Sequence, residues 1–307
     1  VSHLNLRRSF AYSNFKSTAG QNNHFLITIL VGLDAIKSGS VEKNPDFSTT
    51  WAPRDVARSA ARSRAYAINT SLVWISDLVD AYQRAAQRLP GVCTEADLKT
   101  IQGTGDDGQS RRLGRYCRHL GLEVLPELSL VQLGIHWRNR VAHSNARGLV
   151  DGHVRGALRS GDEDIRNRYN GLNVEDLIRH EATGRPPTFK EVASIMHASH
   201  QLVQAMDAAM VSRVDLHKLA EDTLAGQICV GPKSDWNTRT LSLWAGAPEK
   251  TYAKLEHMLT IAGFQKSSID SDVGALSNEY LTSLSGLSVR DARLLFPLEQ
   301  VEALPLD

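Results

Sequence analysis

Ile135-His136-Trp137-Arg138-Asn139-Arg140-Val141-Ala142-His143-Ser144-Asn145 is the stretch from which the rest of the chain is best read. Upstream, Pro126 resets the chain. Leu130, Leu133 or Gly134, Trp137 and Val141 then recur at helical spacing, which predicts an amphipathic helix from about Glu127 to about His143. His136, Asn139, Arg140 and His143 fall at i, i+3, i+4 and i+7, so they form a polar stripe beside the apolar one. Ser144, Asn145 and Gly148 end the helix.

The chemistry of that stripe suits a phosphodiester. Arginine offers a permanently charged fork matched to phosphate oxygens, and histidine takes and gives protons near neutral pH. RNA carries its own nucleophile, the 2′-hydroxyl, so Arg138, Asn139 and His143 suffice in principle for cleavage without a metal. The spacing alone carries little information. With 25 Arg and 11 His, an Arg five residues before a His arises about once by chance. The Asn after the Arg and the helical, basic setting supply the signal. On an ideal helix Arg138 and His143 stand roughly 140° apart, so they converge only in a loosened last turn or a dimer cleft. Asn139 and His143 are i, i+4 neighbours. A plain helix C-terminus carrying Arg and His against its dipole is the competing structural reading.

Across the 307 residues the net charge of +1 conceals an asymmetry. Residues 1–150 hold 19 Lys and Arg against 12 Asp and Glu, whereas residues 151–307 hold 16 against 22. The basic half suits a phosphate-bearing partner. Arg111, Arg112, Arg115, Arg140 and Arg147 are the expected RNA-backbone contacts, and Arg54, Arg58 and Arg62 form a second basic ridge. Cys93, Cys117 and Cys229 include no C-x-x-C pair, which argues against a disulfide framework or a cysteine-built zinc site. No metal or cofactor is expected. The chain lacks an apolar run of membrane-spanning length and an evident signal core, so a cytoplasmic location away from membranes is the expectation.

The expected fold class is all-α. Residues 1–20 read as a loosely held arm, and helices follow from Gln21 to Lys37 and, with Pro53 in the first turn, through Ile68, Leu72, Ile75, Val79 and Tyr82. Gly103 to Gly108 reads as a surface loop without the Lys-Ser/Thr ending of a P-loop. Val150 to Arg185 reads as long and irregular, a loop insertion over 150–187 with one helical turn near Val174 to His180. Thr188-Phe189-Lys190-Glu191 is a capping box opening a helix to about Val211. Beyond it come short helices near 216–226, 248–262, 274–284 and 288–295, with a strand or two between Ile228 and Trp244. The expected division is a helical domain over 1–213 and a small, mainly helical subdomain over 214–307.

Arg138-Asn139-Arg140-Val141-Ala142-His143 resembles the R-x(4–6)-H motif of the HEPN family of helical domains, at its shortest spacing. The likeness extends in helix pattern over roughly residues 20–213, while identity rests on these six residues. It implies a HEPN-like bundle and a metal-independent endoribonuclease, usually a homodimer in which two motifs face one cleft. Cleavage then leaves a 2′,3′-cyclic phosphate and a 5′-hydroxyl. Such domains serve in bacterial toxin–antitoxin and anti-phage abortive-infection systems, so an inhibitory antitoxin or defence partner is also implied. The alternative is a catalytically inactive HEPN-type scaffold that binds a nucleotide or partner. A DNA-binding regulator using the C-terminal helices fits less well, because residues 151–307 are acidic.

Overall fold

The computed structural model describes residues 3–44, 46–48, 50–104, 107–142, 150–267 and 275–298. These residues form helices and one small sheet, an all-α architecture, divided between two compact units. One unit comprises Ala11–Ala85 and Glu95–Met206; the other gathers Val1–Phe10, Ala86–Thr94 and Asp207–Asp307. The second unit is therefore assembled from three separate pieces of chain, where a single cut after residue 213 was expected. The expectation missed it because sheet pairing and turn contacts join residues far apart in sequence.

The larger unit is built from α1 (Phe10–Lys37), α2 (Val56–Ala86), α3 (Glu95–Gln102), α4 (Gln109–Leu120), α5 (Pro126–Ala142), α6 (Gly152–Ser160), α7 (Asp162–Arg168), α8 (Val174–Thr183) and most of α9 (Phe189–Val211). Helix α1 starts eleven residues earlier than the apolar spacing suggested, with Tyr12, Phe15 and Ala19 buried. Helix α2 starts at Val56, and the Asp55 carboxylate accepts from the Arg58 N–H at 2.9 Å, an N-cap in place of a Pro53 first turn. The capping box before α9 forms as expected: the Thr188 N–H donates to the Glu191 carboxylate and the Glu191 N–H to the Thr188 hydroxyl.

Residues 150–187 are not an irregular insertion. Helices α6, α7 and α8 occupy most of that segment, and α6 and α8 pack on α5. Val154, Leu158, Ile165, Leu172 and Leu177 are buried. Each helix is short and carries charge on its other faces, so its narrow apolar stripe is diluted to the eye. Asn173 caps α8, and Gly184, in the left-handed region at φ +70°, closes it.

Helix α5 is the centre of this unit. From Glu127 to Ile135 every residue is buried, so the helix is enclosed on all sides and is not amphipathic there. Gly134 permits the close approach: a Cβ at this position would lie 2.7 Å from Ile195 Cγ2 on α9 and 3.6 Å from Leu72 Cδ1 on α2. The buried polar side chains are satisfied. Gln132 donates to the Ser110 carbonyl at 2.9 Å, and Glu127 accepts from Arg168 and from the Tyr169 hydroxyl.

In the smaller unit, α10 (Leu216–Ile228), α11 (Lys233–Trp244), α12 (Pro248–Ile261), α13 (Asn278–Ser285) and α14 (Val289–Leu295) accompany three strands. The strands β1 (His3–Asn5), β2 (Gln265–Ser267) and β3 (Ala275–Leu276) lie in the order β2-β1-β3, and β1 is antiparallel to both neighbours. Residues 3–5 are thus the central strand of a sheet, with Leu4 and Leu6 in the core, and not a loose arm. No strand forms between Ile228 and Trp244. That segment is α11, with Thr240, Leu243 and Trp244 buried at i, i+3 and i+4. The Asp215 N–H donates to the Pro90 carbonyl at 2.8 Å, which ties residues 86–94 to the start of α10.

Replacing Gly134 with Val is expected to lower stability by about 1–3 kcal/mol through overpacking against Ile195, as read from urea unfolding. An unchanged midpoint would show that α5 and α9 have room to spare.

Candidate active site

The last turn of α5 leaves the core. Arg138, Asn139, Arg140 and Val141 are half-buried and Ala142 is exposed. Trp137, directly before them, is fixed in the core with its indole N–H donating to the Arg185 carbonyl at 3.1 Å. This anchors the turn that follows.

The Arg138 guanidinium is ion-paired to the Asp77 carboxylate on α2 and donates to Asn139 Oδ1 at 3.0 Å. Asp77 is about half exposed, and Arg138 is largely covered. Arg138 Nε is buried with no hydrogen-bond partner among the described residues. Asp77 was not singled out from the sequence. It and Asp80 are the two acids within α2, otherwise read as an apolar and basic helix, and that isolation was the available signal. His143 and Arg147 lie outside the described residues, so the Asn139–His143 pairing does not enter the geometry.

Arg140 turns to the opposite side of α5. Its guanidinium donates to the carbonyls of Glu181 at 2.6 Å and Ala182 at 3.0 Å, on the last turn of α8. A cation on the negative end of a helix is favourable, and here it joins α8 to α5. The buried Glu181 carboxylate lies 3.6 Å from Arg140 Nε. Burial raises its pKa, against the charges of Arg140 and Arg155.

The arginines of α4 are likewise occupied. Arg115 donates to the carbonyls of Ile101 and Gln102, at 2.8 and 3.0 Å, and pairs with Asp107. Arg112 donates to the Asp107 carbonyl at 2.9 Å and lies 3.5 Å from Asp80. Arg111 is the most open of the three, 59% exposed, and sits 3.4 Å from both Asp107 and Asp151. Burial pushes the Asp107 pKa up. The bonds from Arg111 and Thr104 and the charge of Arg115 outweigh that and hold it below the usual carboxylate value. Three of the expected backbone contacts (Arg112, Arg115 and Arg140) thus hold the protein's own carbonyls. Arg54, Arg58 and Arg62 are exposed.

His136 was read as part of the polar stripe, and the structure gives it a distinct environment. Its Nε2 is buried with no hydrogen-bond partner among the described residues. Burial lowers its pKa. Asp151 opposes the shift, and the charges of Arg111 and Arg140 add to it, so the ring is neutral at pH 7. His197 and His200 pack edge-on against Tyr169 and Phe15. The described residues hold no group of three or more His, Cys, Asp or Glu arranged for a metal ion. None of their helices is long and apolar enough to cross a membrane.

No protein-family model, curated protein or solved structure matches the chain.

A lowered histidine pKa means that the folded state binds this proton more weakly than the unfolded chain. Stability held by neutral His136 is then lost as pH falls from about 6.5 toward the folded value, with a slope of at most about 1.4 kcal/mol per pH unit. Urea unfolding at a series of pH values should show His136→Asn less acid-sensitive than wild type over that range. Parallel pH profiles would remove His136 as the source.

Proposed function

We propose that the protein is a metal-independent endoribonuclease of HEPN type, with Arg138, Asn139 and His143 as its catalytic residues. The observation that carries this reading is the placement of Arg138 and Asn139. They are bonded to each other on the single turn of α5 that leaves the core, and Asp77 orients the guanidinium. A phosphate oxygen arriving there exchanges with the Asp77 carboxylate, and the fork that binds one binds the other. His143 follows four residues after Asn139 in the sequence.

In the proposed reaction His143 takes the proton of the RNA 2′-hydroxyl, whose oxygen attacks the adjacent phosphorus. Arg138 stabilises the charge that builds on the phosphoryl oxygens. The bond from phosphorus to the 5′-oxygen breaks, and His143 returns a proton to the departing oxygen. The products are a 2′,3′-cyclic phosphate and a 5′-hydroxyl, with no cofactor required. Arg111, exposed at 59%, and Arg147 remain the candidates for contacting flanking phosphates, because Arg112, Arg115 and Arg140 are engaged on backbone carbonyls. A homodimer with a composite site, a cytoplasmic location, and control by an antitoxin or defence-system partner belong to the same proposal.

That engagement also favours a second reading. A chain that spends most of its motif-proximal arginines on its own carbonyls and carboxylates suits a non-catalytic HEPN-type scaffold that binds a nucleotide or partner protein.

Incubating wild type and His143→Ala with total RNA in EDTA, then mapping the cut ends, separates the two. The ribonuclease reading expects cleavage with cyclic-phosphate and 5′-hydroxyl ends, reduced about 10²–10⁴-fold or more in the variant. Equal activity of the two proteins removes His143 from catalysis, and absence of cleavage by wild type favours the scaffold.

A further inference from the structure

The arginines of α4 and α5 are engaged by the protein's own acceptors, but those around the start of α2 are not. The guanidinium groups of Arg54, Arg58 and Arg62 are exposed and have no ion pair or hydrogen bond among the described residues. From Val56 to Ser76, α2 carries three arginines and no Asp or Glu. Two nearby acids are already occupied. Asp34 pairs with Arg64 at 2.8 Å, and the Asp55 carboxylate caps α2.

Exposed aromatic rings stand among these cations. Tyr66, one turn beyond Arg62, is 74% exposed, and Phe47 and Trp51 are 62% and 43% exposed. Phe47 and Trp51 line a pocket of about 390 Å³ together with Lys43, Asn44 and two hydroxyls of α2, Ser59 and Ser63. Asn44 Oδ1 accepts from the Asp46 N–H at 2.9 Å, which leaves the amide nitrogen of Asn44 free to donate. Ser63 also borders the neighbouring depression of about 320 Å³, which Tyr66 and Trp74 line.

We propose that this face is a binding track for single-stranded RNA. Phosphates run along Arg54, Arg58 and Arg62, while unstacked bases lie on Tyr66 and enter the pocket lined by Phe47 and Trp51. Three features select that occupant. Guanidinium groups left without a carboxylate attract phosphate oxygens. Open aromatic faces beside them stack bases of any sequence. The pocket adds hydroxyls and an amide, which match the polar edges of a base and have no use for a lipid tail. A base held in a duplex cannot reach such a pocket, so the strand must be single.

The track leads to the candidate site. Arg58, Arg62, Tyr66, Thr70, Val73 and Asp77 follow at intervals of four, four, four, three and four residues, so they share one face of α2. That stretch of helix is about 28 Å long. Its far end is the carboxylate that holds Arg138. On the ribonuclease reading, on which this last step alone rests, the track delivers the strand to Arg138 and restricts cutting to unpaired segments.

A fluorescein-labelled oligoribonucleotide with a 2′-O-methyl group on every sugar carries no nucleophile, so its anisotropy reads binding apart from cleavage. Wild type should bind it, and the duplex of the same sequence should compete poorly. Arg58→Gln combined with Arg62→Gln should flatten the dependence of log affinity on log salt by about 1.4, from two contacts at about 0.7 each. Tyr66→Ala should weaken binding roughly 5–100-fold and leave that slope unchanged. All three positions are open, so circular dichroism should match wild type. The proposal is overturned if wild type does not bind the strand, binds the duplex as well, or prefers phosphatidylserine vesicles. Wild-type affinity in both variants overturns it too. In the RNA assay, His143→Ala should bind as wild type does without cutting. A protein that binds the strand here and never cuts leaves the track standing and removes the ribonuclease reading; one that cuts while both track variants bind normally does the reverse.

Discussion

Enclosure of α5 is the constraint on which the larger unit depends. Nine consecutive residues, Glu127 to Ile135, are buried, which leaves the helix no solvated face until its final turn. A helix in that position must satisfy its polar side chains internally, and Glu127 and Gln132 do so with partners on α7, on the residue that follows it and on α4. It must also let its neighbours come close, which Gly134 allows. The surfaced turn is therefore fixed by everything before it. Arg138 and Asn139 emerge toward α2, Arg140 toward α8, and neither direction can change without moving the core.

That division of the last turn gives its two arginines different physical tasks. Arg138 meets a carboxylate that is itself half exposed, a partner that an incoming anion can displace. Arg140 meets two carbonyls at a helix end and a fully enclosed carboxylate. Displacing Arg140 would strand acceptors without water, and buried unpaired groups are costly. The same contrast separates the open Arg111 from Arg112 and Arg115 on α4.

Much of the helical framework was legible in advance. The stripe Ile68, Leu72, Ile75, Val79 and Tyr82 is buried as its spacing implied, and the Thr188–Glu191 capping box forms. What escaped were elements whose signal was thin or non-local. Helices α6 to α8 hide a few aliphatic residues among many charges. In α11, Thr240 to Trp244 alternates like a strand, although Thr240, Leu243 and Trp244 already carried helical spacing. At the site, the Arg138–Asn139 placement could be anticipated, but Asp77 lies 61 residues away and nothing local announces the pair. Arginine attracts a phosphate oxygen and a backbone carbonyl by the same donors. Sequence alone therefore could not divide Arg111, Arg112, Arg115 and Arg140 between them.

The position of β1 bears on the order in which the chain can fold as it is synthesised. Residues 3–5 emerge early, but the strands that flank them, at 265–267 and 275–276, come more than 250 residues later. The larger unit needs nothing beyond Met206 and can close while translation continues. Until then Leu4 and Leu6 have no core to enter. Folding thus runs from the inner stretch outward, and β1, made before the larger unit, is locked in place after it.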